Sequence, residues 1–421
     1  MIRLQGNDPA LQALFQRPGY PPEIERSVAE ILENVRTRGD QALSEYALKF
    51  DKAELTPDQF RVTDEEIAAA GKKISSTARK ALKEALKAIQ SFARKQKPRD
   101  YRYTARRGVM LGEQFSPMER VGVYIPGGTA PLVSTVIHTA GIASAAGVKE
   151  IVAVTPPGTH PAVLYAMRLA GVTEIYRLGG VYGIAALAFG TETIQPVEKI
   201  VGPGNAYVTA AKKLVFGKVA IDMVAGPSEI MVIADRTAPP EFIAADFLSQ
   251  AEHGSGLEQS VLVTDSDEVI DAVEKEILKQ KQALPRIATV DKVLNKGAFL
   301  IRVKDMDEAA RIANSYAPEH LEIMTEMPEK VARNITAAGA IFLGPWTPEP
   351  AGDFCAGPSH VLPTAGSAKF FRGLGVDSFY RRSSIVRYSE EAIRREAWII
   401  EEFAAMEGLA AHGKSGTIRR K

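Results

Sequence analysis

The sequence predicts an α/β protein in which two blocks of mostly parallel sheet lie between a helical N-terminal region and a helical C-terminal arm. Three observations predict it. From Val121, short β-rich runs ("VGVYIPGG", "EIVAVTPPG", "EIYRLGG", "KIVGPGN") alternate with helical segments such as "APLVSTVIHTAGIASAAG" and "HPAVLYAMRLAG". Alternation of this kind gives a parallel sheet with helices on its faces. A second block repeats the texture: "AIDMVAGPSEIMVIAD", "QSVLVTDS", "GAFLIRV", "HLEIMT" and "AIFLG". Finally, "AGVKEI" at 146–151 and "AGVTEI" at 170–175 echo one another, each a glycine-capped helix end turning into a strand.

The flanking elements follow from periodicity. "PPEIERSVAEILENVRTRGDQALSEYALKFD" has apolar residues at helical spacing with a break at Gly39. "TDEEIAAAGKKISSTARKALKEALKAIQSFARKQ" reads as a helical pair opened by a Thr63 N-cap with Glu66 three residues on. The last stretch, from "SEEAIRREAWII", is a helix after an irregular linker "FFRGLGVDSFYRRSS", an appended arm more than a core element.

Composition bounds the function. The 421 residues carry a net charge of +1, so no bulk field recruits nucleic acid or an anionic membrane. The basic run Arg94–Arg107 is interrupted by Asp100 and reads as a solvated face. A single cysteine, Cys355, excludes an internal disulfide framework and suits a reducing cytoplasm. The start has no apolar signal core, and no run spans a membrane.

Six histidines are present, and four of them stand in polar segments near element ends. "SQAEHGSG" ends a helix with Gln250 and His253 on one face, which suits a metal or a solvated helix end. "SYAPEHLEI" puts Glu319 and His320 just before a strand, either an acid–base pair or an incidental surface ion pair. "PEPAGDFCAGPSHVLPT" carries Asp353, Cys355 and His360 in a Gly/Pro-rich loop; Cys355 has no evident activating partner and reads as inert. In "MEGLAAHGKSG", Glu407 and His412 are about 140° apart on a continuous helix, so they share a ligand only if Gly408 ends it. "VYIPGGTAP" and "VGPGNAYVTAAKK" are glycine loops opening helices, suited to phosphate, yet neither is a dinucleotide fingerprint.

From about residue 20 to the end the chain resembles the histidinol dehydrogenase family, through "GVYIPGG", "VGPGNAYVTAAKK", "IDMVAGPSEIMVIAD", "LSQAEHG", "YAPEHLE", "GDFCAGPSHVLPT" and "EGLAAHGKSGT". The resemblance implies two incomplete Rossmann-like domains: residues 1–120 as a helical region packing on the first, 121–224 on the cofactor side, 225–366 holding metal and catalytic groups, and 367–421 as a dimer-swapped arm. It implies a zinc- and NAD-dependent oxidation of L-histidinol through L-histidinal to L-histidine in a cytoplasmic homodimer with shared active sites. Gln250, His253, Asp353 and His412 are then the ligands of one zinc per subunit and also substrate contacts. Glu319 and His320 are the acid–base pair. Ser228, His320, His360 and Glu407 are substrate contacts, and Tyr124, Tyr182 and Asn205 are cofactor contacts. The sequence departs from the family pattern in "GGVYGIAAL", where Tyr182 replaces the usual Gln, in "PLVSTVIHTAGIA" after the first glycine loop, and in "GSGLEQ" after His253. A paralogous dehydrogenase of another polar alcohol, sulfopropanediol-like, is the same-class alternative. A zinc hydrolase in which Glu319 activates water is the alternative from another class.

Overall fold

The structure is a computed structural model, and it describes residues 1–17, 21–127 and 131–420. Two parallel sheets dominate it. In the first, the strands run Glu174–Tyr176, Glu150–Val154, Arg120–Tyr124, Lys199–Val201 and Ala220–Ile221 from edge to edge. In the second, the order is Ile2–Gln5, Ala298–Arg302, Gln259–Thr264, Glu229–Ala234, His320–Met324 and Ala340–Leu343. Leaving Ile2–Gln5 aside, both sheets place their strands in the order 3-2-1-4-5, counted along the chain within each block. That is the Rossmann order short of its sixth strand, with a reversal between strands 1 and 4 in each sheet.

The strand sequences explain the layers. "EIMVIA" at 229–234 is buried along its whole length, as a central parallel strand covered on both faces must be. Ile230, Val232 and Ala234 join one core cluster, while Met231 and Ile233 join the other on the opposite face. The first sheet divides in the same way, with Val121 and Val123 on one face and Tyr124, Val152 and Val154 on the other. Gly147 and Gly171 cap their helices at φ 96° and 88°, which accounts for the internal echo. Thr63 and Glu66 close the expected capping box at 3.3 and 2.8 Å. Gly39, at φ 51°, breaks the helix Pro22–Asp51, and the freed amide of Asp40 donates to Glu192 at 2.8 Å.

Three local readings need correction. The N-terminal region does not pack wholly on the first α/β unit: Ile2–Gln5 pairs in register with Phe299–Arg302 and extends the second sheet. Residues 101–117 are not helical but form an antiparallel hairpin, Tyr101–Arg106 with Val109–Pro117. The supposed linker continues into a nine-residue strand, Tyr380–Tyr388, which completes that hairpin as a three-stranded sheet. Periodicity misses these segments because they are largely polar strands with little burial, and Ile2–Gln5 and Tyr380–Tyr388 also find their pairing partners far away in the chain. The hairpin leads into the arm helices Glu390–Glu407 and Ala410–Thr417, which pack against each other. Among the described residues no helix is long and apolar enough to cross a membrane.

Candidate active site

The site lies at the amino edge of the second sheet. His320 opens its strand and pairs with Ile230, so Glu319 and His320 lie beside Ser228 and Glu229 at the start of the central strand. Glu319 Oε2 accepts from Ser228 Oγ at 2.5 Å and from the Glu229 amide at 2.9 Å. His320 Nδ1 donates to the Glu229 carbonyl at 3.0 Å. That bond fixes one tautomer and leaves Nε2 facing Glu349 Oε1 at 3.6 Å and Asp353 Oδ1 at 3.5 Å. The sequence expectation of an incidental surface pair therefore gives way to a buried, doubly anchored one.

Electrostatics follow from burial. Burial raises the Glu319 carboxyl above its usual range, opposed by His320 and the bonds from Ser228 and Glu229. For His320 burial acts downward, but Glu319, Asp353 and Glu349 outweigh it and lift the imidazole to about 10. Glu349 is pushed up to about 8 by burial. Asp353 stays below the usual carboxylate range because His320 offsets its burial.

The helix that carries Gln250 meets this cluster through Ser249, whose hydroxyl donates to Glu349 Oε2 at 3.2 Å. Gln250, in the last turn of Pro240–Ala251, is 0 % exposed, and neither of its amide atoms has a hydrogen-bond partner among the described residues. Leaving such a group unpaired costs about 1–3 kcal/mol, so the side chain is placed for something it does not find in the protein. His253 lies just past the helix end, where Nδ1 contacts the Gln250 carbonyl at 3.2 Å and Nε2 is left over. His320 Nε2, Glu349 Oε1 and His360 Nε2 are likewise buried without partners. The ligand atoms of His320, Glu349 and Asp353 all lie within 4.8 Å of one another. His320, Asp353 and His360 line a cavity of about 600 Å³. Glu407 and His412 are exposed on the arm and do not line it, although Gly408, at φ 69°, does end the first arm helix between them.

On the first sheet, by contrast, the expected cofactor residues gather at the carboxyl ends of the strands, at the switch between Arg120–Tyr124 and Lys199–Val201. Tyr124 accepts from the Gly180 amide at 3.3 Å. Asn205 is exposed and caps Ala206–Val215, its Oδ1 accepting from Tyr207 and Val208 at 3.1 Å each. The loop before it is pinned from below: Lys212 donates to the Gly202 carbonyl at 2.8 Å, Asp222 accepts the Gly202 amide at 2.7 Å, and the two side chains pair. Gly202 itself, at φ 118°, lies so close to Tyr124 that a Cβ would come within 2.4 Å of its carbonyl oxygen. Residues 128–130 of the "VYIPGG" loop lie outside the described residues.

The model of the histidinol dehydrogenase family matches residues 18–420. The chain belongs to the histidinol dehydrogenase family. It is 48% identical to the histidinol dehydrogenases of Listeria innocua and Rhizobium meliloti, over 94% of this chain and 93% and 92% of those proteins. It superimposes on the crystal structure of histidinol dehydrogenase from Elizabethkingia anophelis with a TM-score of 0.95 at 39% identity, covering 100% of this chain and 98% of that one. As a histidinol dehydrogenase family member the chain is an oxidoreductase.

Two departures from the histidinol dehydrogenase pattern acquire a structural meaning. Tyr182 is expected as a cofactor contact. It is 1% exposed, packed in the core beneath the switch point, and its hydroxyl is bonded to Asp51. His138, within "PLVSTVIHTAGIA", turns out to be a site neighbour: its ring stacks on His360 at 4.3 Å, and Nδ1 accepts the His360 amide at 3.1 Å. Sequence reasoning also missed the buried carboxyls Asp246, Glu322 and Glu349, of which Glu322 accepts the Glu349 amide at 2.7 Å. Glu229 escaped it as well. Asp246, Glu322 and Glu229 are single acidic residues in runs that read as ordinary strand or helix, and Glu349 stands in the loop from which only Asp353, Cys355 and His360 were singled out.

Proposed function

We propose that this protein oxidises L-histidinol through L-histidinal to L-histidine, using zinc and two NAD+, as the last step of histidine biosynthesis in the cytoplasm. The observation that carries the reading is the anchored Glu319–His320 pair, with His320 Nε2 3.5 Å from Asp353 Oδ1 and both residues lining one cavity with His360. Gln250, His253, Asp353 and, from a second copy, His412 fit a zinc ion as an oxygen and imidazole set. When bound, the metal supplies a Lewis-acidic anchor for the substrate's imidazole and amine, and the nicotinamide supplies a hydride acceptor.

The chain's own groups then do the proton work. His320 Nε2 takes the hydroxyl proton as hydride departs from the carbinol carbon, giving the aldehyde. Glu319, raised by burial, removes a proton from water as the oxygen adds to that aldehyde. Having returned its first proton to the aldehyde oxygen as water adds, His320 takes the proton of the resulting hydrate as the second hydride leaves, giving the carboxylic acid. The acid's proton, like those left on Glu319 and His320, passes to solvent. Ser228 and the Glu229 amide hold Glu319 in place through both half-reactions. The carboxylates that raise His320 include Asp353, a proposed ligand of the zinc. Each positive charge placed among them lowers the imidazole again, toward a working base.

An intertwined homodimer completes the reading. The arm exposes Trp398, Phe403, Met406 and Leu409, an apolar surface that its own chain leaves uncovered. Swapping the arm brings Glu407 and His412 to the partner's cavity. The test is NADH formation from limiting L-histidinol before and after zinc chelation and readdition. Two NADH per histidinol, lost on chelation and restored by zinc, support the reading. No NADH from zinc-loaded, folded protein overturns it and directs attention to other polar alcohols or to hydrolysis.

A further inference from the structure

Glu229 is the hub on which both catalytic groups hang. Its backbone amide holds Glu319 and its backbone carbonyl holds His320, so any displacement of this one residue moves both members of the pair. Its side chain is clamped in turn. Arg17 Nη2 donates to Glu229 Oε2 at 3.0 Å, and Arg17 Nε lies 2.9 Å from Oε1, which also accepts the Ala365 amide at 2.8 Å. Arg17 reaches a second anchor: Nη1 donates to the Tyr316 carbonyl at 2.9 Å, with the guanidinium 3.6 Å above the Tyr316 ring. Tyr316 ends its helix, Ala317 follows at φ 53°, a strained conformation for a non-glycine residue, and Glu319 comes two residues later. One guanidinium therefore ties together the two segments that carry the catalytic groups, the start of the central strand and the turn before Glu319.

We infer that Arg17 is a positioning residue for catalysis, acting through Glu229 and Tyr316 and touching neither substrate nor cofactor. This rests on the reading of Glu319 and His320 as the reacting pair. The planar fork of arginine suits the task, because it spans a carboxylate and a carbonyl at once and keeps its charge when buried. The clamp is delivered by the N-terminal segment, whose strand joins the edge of the second sheet and whose short helix Ala10–Phe15 buries Leu11 and Leu14. Docking of that segment is thus coupled to the geometry of a site it does not touch.

The test compares Arg17→Ala, Arg17→Lys and Leu14→Ala in the zinc-loaded full chain. Leu14→Ala removes a core side chain from the same segment and leaves the clamp in place. Loss of geometry in Arg17→Ala is expected to lower kcat roughly 10- to 100-fold, with KM for L-histidinol and zinc content near wild type. Millimolar guanidinium chloride should restore part of that kcat in Arg17→Ala and none in the other variants. Arg17→Lys should fall between, and it serves as the primary variant if the alanine protein does not fold. Leu14→Ala should lose thermal stability and keep its kcat. A second readout needs no substrate: in protein labelled with 15N-histidine, the His320 Nδ1–H resonance should shift or broaden in Arg17→Ala and not in Leu14→Ala. Wild-type kcat in Arg17→Ala, equal kcat loss in Leu14→Ala at the same melting temperature, or an unmoved His320 signal overturns the inference. If the wild-type protein forms no NADH from histidinol, the functional reading falls, and the imidazole signal still decides the clamp.

Discussion

Neither nitrogen of His320 is free to choose its role. Nδ1 is committed to the Glu229 carbonyl at 3.0 Å, so the proposed proton transfer falls to Nε2, which has two carboxylates beside it. Replacing His320 by Asn keeps a polar side chain there and removes the proton acceptor. Zinc content and melting temperature should stay near wild type while turnover falls about 10²- to 10⁴-fold. Turnover within a few-fold of wild type in a folded, zinc-loaded variant refutes the assignment. Tyr182 makes the opposite argument at the same scale. Its hydroxyl is spent on Asp51 inside the core, so Tyr182→Phe should cost about 1 kcal/mol of stability, measured by denaturant melt, and leave KM for NAD+ unchanged. A large rise in that KM would restore the cofactor contact that the sequence pattern suggested.

At the scale of elements, the site is assembled from the ends of several of them, and this decides what the sequence disclosed. The segments around Gln250, Glu319 and Asp353 were legible because ligand-type side chains stand there beside glycine and proline at element ends. Glu229 and Glu322 were not, because each lies in a strand run that periodicity assigns to the core. Their importance arises only when strand pairing sets Glu229 against the turn before His320. His138 was visible as a histidine but had no readable role, since its partner His360 is 222 residues away and comes from the other sheet's connection. The pair carries a pH signature. Burial, reinforced by His360, depresses His138 to about 3. Unfolded, it titrates near 6.5, so between about pH 6.5 and 3 the unfolded chain binds a proton that the native one refuses. Stability from this group is therefore present above that window and is lost as pH falls through it, at up to about 1.4 kcal/mol per pH unit. His138→Met should flatten the decline of melting temperature between pH 7 and pH 5, and an unchanged slope would show that the stack does not govern acid sensitivity.

At the scale of the molecule, two halves of the same strand order carry their candidate residues at opposite ends. The first sheet offers its carboxyl edge, with Tyr124 and Asn205 at the switch point, where open α/β sheets ordinarily bind ligands. The second offers its amino edge, where Ser228, Glu319 and His320 stand. The arm belongs to neither sheet. Its helices pack on each other, and they carry Glu407 and His412 on an exposed surface beside uncovered Trp398 and Phe403. If the arm completes a partner's cavity, each active site draws His320 from one chain and His412 from the other. Two inactive variants, His320→Asn and His412→Asn, should then complement when unfolded together, refolded and supplied with zinc. In a mixed dimer, the cavity of the His412→Asn chain keeps its own His320 and receives an intact His412 from the other chain's arm. The remaining cavity is doubly defective. With half of the dimers mixed and one of two sites competent in each, about a quarter of wild-type turnover should return. A site built within one chain returns none, because every cavity in every dimer then carries one of the two lesions.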